Sequence, residues 1–459
     1  MKNIKNTKNH KAAKLTLFAL TWPILIEIFL HMLMGNADTL MLSQYDDNAV
    51  ASVGVSNQLI NVIIVMFGFI ATGTSILIAQ YIGAKQEQDA NKIAVVSIIG
   101  NLVFGVLLSL ILFIFAPSIL KAMNLPPELM DSSLVYLRIV GGFAFIQALI
   151  MTIAAIIRSH GFTKDAMYVT VGMNLINVIG NYFFIFGPFG FPVLGVTGVA
   201  ISTTISRFIG LIAMFFILRY RIKGSLPYSF LLKGLPKNEL KKLLKIGVPS
   251  AGEHLSYNTS QIAITYFIAS MGTIALTTKV YTQNIMMFIL LFSIAIGQGT
   301  QILIGHYVGA QKLEEAYQRC LKSLKIAIYV SLGMAVIFSF FSRPFLSLFT
   351  DNPDIITLGT TLILLTIILE PGRAFNLVVI NCLRAAGDVK FPVYIGILSM
   401  WGVAVTLSYL LGIVFGLGLI GVWIAFIVDE WLRGLLMLRR WKSRKWIQMT
   451  LVEKKPEAS

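Results

Sequence analysis

Residues 73–84 read Gly-Thr-Ser-Ile-Leu-Ile-Ala-Gln-Tyr-Ile-Gly-Ala, and residues 299–310 read Gly-Thr-Gln-Ile-Leu-Ile-Gly-His-Tyr-Val-Gly-Ala. Their Gly-Thr heads and Tyr-x-Gly-Ala tails stand 226 positions apart, and the same offset recurs on either side. Pro23 pairs with Pro249, Glu27 with Glu253, Ala90 with Ala316, Arg158 with Arg384, Gly161 with Gly387, Lys164 with Lys390 and Tyr168 with Tyr394. A three-residue slip in a loop then brings Gly195 and Gly198 onto Gly418 and Gly421. Ordered matches at one offset over about 145 residues mark an internal duplication.

The duplicated unit is apolar. Of 459 residues 56% are hydrophobic and 13% charged, with a mean hydropathy of +0.79. That is too few charges to coat a soluble surface, whereas the apolar runs are each long enough to cross ~30 Å of hydrocarbon at ~1.5 Å per residue. They predict an all-α polytopic membrane protein with twelve helices, near 15–43, 49–80, 93–120, 133–157, 167–188, 193–218, 246–270, 280–305, 326–350, 355–383, 392–411 and 417–437. The basic start followed by an apolar run superficially resembles a signal peptide. The run is too long for one and contains Glu27, so it reads as the first helix.

Six helices per half is an even number, so both copies face the same way, related by a pseudo-two-fold axis along the membrane normal. The expected organisation is an N-terminal lobe (1–218), a linker (219–245) rich in Lys and Arg with Pro227 and Pro236, a C-terminal lobe (246–437) and a basic tail (438–459). Thirty of the 37 Lys and Arg fall in the two tails and the loops on their side; the opposite loops hold Lys121, Lys279 and Arg343. Arg138, Arg207, Arg373 and Arg433 fall inside spans. This asymmetry predicts a multi-pass protein of the plasma (inner) membrane with both termini cytoplasmic. It also explains the formal charge of +16 by topology rather than by nucleic-acid binding. Cys320 and Cys382 give no disulfide framework, Cys/His spacing offers no zinc or iron–sulfur site, and no Walker-type phosphate loop is present. Two like-oriented halves suit a transporter that rocks one lobe against the other. An enzyme or receptor has no general need for them.

Several segments then resemble a known family. The Pro23…Asp38-Thr39 helix, the Gly83-Ala84 loop, Arg158-Ser-His-Gly161, Asn174…Asn177…Asn181, Gly195-Val-Thr-Gly198 and Leu383-Arg384-Ala-Ala-Gly387-Asp388 resemble the multidrug and toxic compound extrusion (MATE) family. The resemblance runs from about residue 14 to 440. It implies a twelve-helix antiporter, with no enzymatic activity and no organic cofactor, that exports organic, mostly cationic, compounds against inward H⁺ or Na⁺.

A carboxylate at mid-bilayer costs at least ~2.5–3.5 kcal/mol, so each acid inside a span needs a partner, a proton, an ion or a wet cavity. Six such acids are expected: Glu27, Asp38, Glu253, Glu370, Asp429 and Glu430. Asp38 lies toward the outer end of its helix. Asn177 and Asn181 share a face at i, i+4, and Thr203 reaches a similar depth. One carboxylate, two amides and a hydroxyl suit Na⁺ or a protonatable acid equally. The resemblance makes these the cation- or proton-coupling site, although some branches carry Asp where this chain has Asn181. Apart from Na⁺ there, no metal is expected. The second half has Ile264 where the repeat would place Asp38. Its acids Glu253, Glu370, Asp429 and Glu430 face Arg373 and Arg433, at spacings that pair Glu370 with Arg373 and Asp429 with Arg433. A surplus of two negative charges follows, open to a cationic substrate or a proton. Where the family often has acids on helices 7 and 10, Tyr257 and Arg373 stand. Glu27 and His31 share a face with Asp38 and could form a proton relay. The expected partners are small organic cations or drugs and the lipid bilayer, with the chain acting as a monomer. A flippase or exporter of a lipid-linked or other native metabolite shares the architecture and is the alternative.

Overall fold

The computed structural model describes residues 15–222 and 236–452; the linker and tail expected at 219–245 and 438–459 lie partly outside them. Among the described residues the chain forms twelve helical rods: α1 (Leu17–Ser43), α2 (Asp47–Gly83), α3 (Glu87–Ala122), α4 (127–159), α5 (Thr163–Phe186), α6 (Gly195–Arg221), α7 (Lys237–Ser270), α8 (Thr273–Gly309), α9 (Leu313–Phe340), α10 (Pro353–Ala385), α11 (Lys390–Val414) and α12 (Gly418–Lys442). Nine are long and apolar enough to cross a membrane, and α4, whose parts Pro127–Gly141 and Ala144–Ser159 meet at 40°, is a tenth candidate. The other two, α7 and α12, are more polar, with Glu253 on α7 and Asp429, Glu430 and Arg433 on α12.

Local chemistry sets the ends. Asp46 caps α2 by accepting from the Ala49 amide at 3.2 Å, and Asn352 caps α10 through the amides of Asp354 and Ile355. Gly187 closes α5 at a φ of 60°. Three boundaries differ from the sequence expectation, each with a consequence. α8 begins at Thr273 rather than near 280, so Lys279 is not a loop residue; it sits inside the helix, buried. α10 runs to Ala385, which brings Arg384 inside. α9 ends at Phe340, and a separate short helix, Ser342–Ser347, follows it.

The halves meet on the face that carries the basic loops. Leu17, Leu20 and Ile24 of α1 belong to an apolar cluster otherwise built by the second half, and Leu243 and Ile246 of α7 to one built mainly by the first. The repeated Tyr-x-Gly-Ala segments cross there. A Cβ on Gly83 would collide with the His306 carbonyl, and one on Gly309 with the Gln80 carbonyl, so glycine alone permits this approach. The Gln80 side chain donates to the Ala385 carbonyl at 2.6 Å, and the His306 ring sits 2.8 Å from the Ser159 carbonyl. The ring pairs Phe29–Phe288 and Phe69–His254 lie furthest from this face. Beyond them, among the described residues, no hydrogen bond or ring contact joins the halves. The molecule is sealed at its basic face and parted at the other.

A strap completes the seal. Trp441 and Trp446 stack with centroids 4.3 Å apart, turning the chain back after α12. Leu451 and Val452 then enter the first half's core, and the Leu451 amide donates to Gln80 Oε1 at 3.1 Å. Leu451→Asp puts a charge into this buried position and should loosen the seal. With Cys320 and Cys382 changed to Ala, spin labels at Gln88 and Gln318 report the separation of the halves. We expect a longer-distance population to grow in the variant; an unchanged distribution would show that the strap does not hold the face shut.

Candidate functional site

The first half gathers the four residues expected from the sequence. Asp38 on α1, Asn177 and Asn181 on α5 and Thr203 on α6 are all buried. Asn181 Nδ2 donates to Asp38 Oδ1 at 2.5 Å and lies 3.5 Å from Asn177 Oδ1, while Asn177 Nδ2 donates to Thr203 Oγ1 at 3.1 Å. Gly180 makes the approach possible, because the Ser202 hydroxyl of α6 occupies the space where a Cβ would stand. That hydroxyl donates to the Asn177 carbonyl at 2.9 Å, and Asn174 ties α5 to the Leu30 carbonyl of α1 at 3.0 Å.

Both amides turn their nitrogens along this chain, which suits an ionised Asp38. Asn181 Oδ1 is left buried and without a partner. Turning that one amide over would give a protonated Asp38 its acceptor. A Na⁺ ion would need the oxygens of Asp38, Asn181, Asn177 and Thr203 turned toward it together. Sequence reasoning missed Arg207 and Tyr136, both within electrostatic reach of Asp38. Arg207 had a signal, one turn beyond Thr203 on α6; Tyr136, which donates to Asn57 at 3.2 Å, had none.

Glu27 does not pair with His31. It accepts from Arg158 Nη1 at 2.6 Å, across from α1 to α4, and His31 stands within electrostatic reach of Glu27, Arg158 and Arg207. The repeat reproduces this pair as Glu253 with Arg384, across from α7 to α10. The expected surplus of two acids in the second half is therefore too large, since Arg384 was read as a loop residue. Glu370 pairs with Arg373 at 2.8 Å and Asp429 with Arg433 at 2.6 Å, as their spacing foretold. Glu430 bridges both arginines, 3.1 Å from Arg433 and 3.6 Å from Arg373, and accepts from Asn376 at 2.8 Å. Ser399 donates to Asp429 at 2.5 Å. Around these groups α7, α8, α10, α11 and α12 enclose a cavity of about 420 Å³, within the usual range of small-molecule sites. Glu253, Arg373, Arg384, Glu430 and Arg433 reach its wall, among Met286, Met287, Leu290, Trp423 and Phe426. Glu370 is fully buried and stands outside the lining.

Removing one member of a buried pair strands a charge, at a cost of ~3–5 kcal/mol. Glu27→Gln should fall at the low end, about 3 kcal/mol, because the Arg158 side chain is 20% exposed. The double variant Glu27→Gln/Arg158→Gln should recover most of that loss. Denaturant unfolding of the three proteins measures both steps, and a double variant as unstable as the single would mean the pair is not what matters.

Known proteins bear on this arrangement. The MatE family model matches twice, over residues 23–183 and 249–410, each match opening on a proline of the repeat. The uncharacterized transporter YisQ of Bacillus subtilis is 58% identical over 97% of this chain and 98% of its own length. A probable multidrug resistance protein, NorM of Thermotoga maritima, is 28% identical over 94% and 92%. A multidrug resistance MATE transporter of the MOP superfamily, solved in its outward-facing conformation, superposes with a TM-score of 0.85 at 20% identity, covering 95% and 96% of the two chains. With two copies of the family model and a full-length relative above half identity, this chain belongs to the MATE family of multi-pass membrane transporters and is not an enzyme.

Proposed function

We propose that this protein is a secondary exporter of small organic compounds, driven by inward movement of H⁺ or Na⁺ at Asp38 and working by alternating access between the lobes 1–218 and 246–437. The observation that carries this reading is the buried chain from Asp38 through Asn181 and Asn177 to Thr203. A buried carboxylate in a membrane protein, bonded by a neutral amide and forming no ion pair of contact distance, changes its energy greatly on taking up a cation. The basic face is assigned to the cytoplasm, in the plasma membrane, which makes the described conformation outward-open.

Between the two ions the proton is favoured. Protonation asks only the Asn181 amide to turn, whereas Na⁺ needs that same turn and further oxygens drawn to coordination distance together. A multidrug substrate range is supported by relatives named as probable multidrug resistance proteins, at 26–28% identity. A mainly cationic range draws less support from the second half, because Arg373, Arg384 and Arg433 offset all but one of the charges on its four interior acids. That balance favours a second reading, export of a native metabolite.

Purified protein in vesicles, given a pH gradient or a Na⁺ gradient separately, tests the proposal with fluorescent organic substrates of either charge. A pH gradient should drive uptake in wild type, and Asp38→Asn should abolish it with protein yield and monodispersity unchanged. Uptake driven by Na⁺ at equal pH, and absent with a pH gradient alone, would replace the proton by sodium. Undiminished transport in Asp38→Asn would remove Asp38 from the coupling step.

A further inference from the structure

The cavity of the second half leaves more donors than acceptors unspent, the free buried acceptors on its wall being Glu253 Oε1 and Asn376 Oδ1. Of its two lining carboxylates, Glu430 has both oxygens engaged, by Arg433 and Arg373 on one side and Asn376 on the other. Glu253 gives one oxygen to Arg384, and the other lies 3.2 Å from where a Cβ on Gly396 of α11 would stand, against the helix backbone. Each lining guanidinium, by contrast, binds its acid through one terminal nitrogen only: Nη1 of Arg373, Nη2 of Arg384 and Nη2 of Arg433. The other terminal nitrogen of each has no hydrogen-bond partner among the described residues and is not sealed by protein. The indole nitrogen of Trp423, on the same wall, is a buried donor without a partner.

We infer that this cavity takes an amphiphile bearing a carboxylate or similar oxyanion, its apolar body against Met286, Met287, Leu290 and Phe426 and its anionic end toward Arg373, Arg384 and Arg433. The assignment deepens the transporter reading and rests on it, in treating the second half as the substrate-holding lobe. A carboxylate offers about four acceptor sites and accepts forked donation from arginine, so it matches what the wall leaves unspent. Among the buried groups of the wall an ammonium would find only Glu253 Oε1 and Asn376 Oδ1 unspent. It would also meet guanidinium nitrogens at the surface, while Glu370 stands outside the lining and Asp429 is engaged by Ser399 and Arg433. On the lining itself three guanidiniums face two carboxylates.

The test uses three probes with one aromatic body: pyrenebutanoate, its methyl ester and the corresponding pyrenebutyl ammonium. Equilibrium binding is measured on the purified full-length protein in detergent, with empty micelles subtracted. The carboxylate should bind about tenfold or more tighter than the ester, the scale of a charge-assisted hydrogen bond, and the ammonium more weakly than the ester. A carboxylate no tighter than the ester, or an ammonium equal to the carboxylate, overturns the inference. Two charge-balanced variants locate the effect: Glu253→Gln/Arg384→Gln, and Asp429→Asn/Arg433→Gln, which leaves Glu430 to Arg373 and Asn376. Each should shrink the carboxylate preference while ester binding shows the fold intact. A preference undiminished in both would place the anion elsewhere and overturn the assignment to this cavity. No gradient is present, so a protein that prefers the carboxylate yet fails to transport would refute the exporter reading alone.

Discussion

The whole architecture depends on one constraint: a charge inside hydrocarbon must find its counter-charge within reach of its own side chain. The duplication meets it twice in the same way. Glu27 reaches Arg158 and Glu253 reaches Arg384, both across 131 positions of sequence, and in each half the pair joins the first helix to the fourth. These first helices also face the other half, through Leu17, Leu20 and Ile24 of α1 and through Leu243 and Ile246 of α7. Each ion pair therefore ties an interface helix into its own bundle. Breaking one leaves an uncompensated buried charge, a far larger penalty than any single interface contact contributes. A lobe braced in this way is suited to moving as a unit.

Where the halves diverge, they diverge in chemistry. Asp38 has Ile264 as its repeat counterpart, and Ile264 is sealed in an apolar cluster with Leu369, Trp423 and Phe426. The second half instead builds its charges lower, on α10 and α12, around a cavity that no residue of the first half lines. Lys279 of α8 is apart from them, buried and donating to Thr265 at 2.5 Å. The duplicated fold thus keeps the structural pair in both copies, a carboxylate with neutral ligands in one, and guanidiniums around a cavity in the other.

Much of this was legible in the sequence, and the misses share a cause. Periodicity and the repeat are local or translational signals, so the helices, the two-lobed plan and the i, i+3 and i, i+4 pairs could be read directly. The face shared by Asn177 and Asn181 was legible too, because helix geometry fixes it. Arg384 and Lys279 were misread because both lie within a few residues of a helix end. Hydropathy blurs such ends, and counting charges by side assigns them to loops. Arg207 was visible as a charge in a span, but its proximity to Asp38 depends on how α6 packs against α1. The pairing of Glu27 with Arg158 had both members marked by the repeat, yet nothing in linear spacing joins positions so far apart. The cavity was illegible altogether, since five helices must close before it exists.

The separation of the two sites constrains how exchange works. The sequence left the second half's acids open to a cationic substrate or a proton. On the proposed reading the ion acts at Asp38, which lies in the other half from the cavity and shares no residue with it. Direct electrostatic competition then gives way to coupling through conformation: each ligand shifts the equilibrium only by its differential affinity for the two states. A physical route for that coupling is present. α1 carries Asp38, and its Phe29 ring meets Phe288 of α8 with centroids 6.4 Å apart. Met286, Met287 and Leu290, the neighbours of Phe288 on α8, line the cavity. Any shift of α1 that follows a change of charge on Asp38 must therefore pass through a ring contact onto the cavity wall, or break that contact. In either event a change at Asp38 would reach the cavity as a change in its shape.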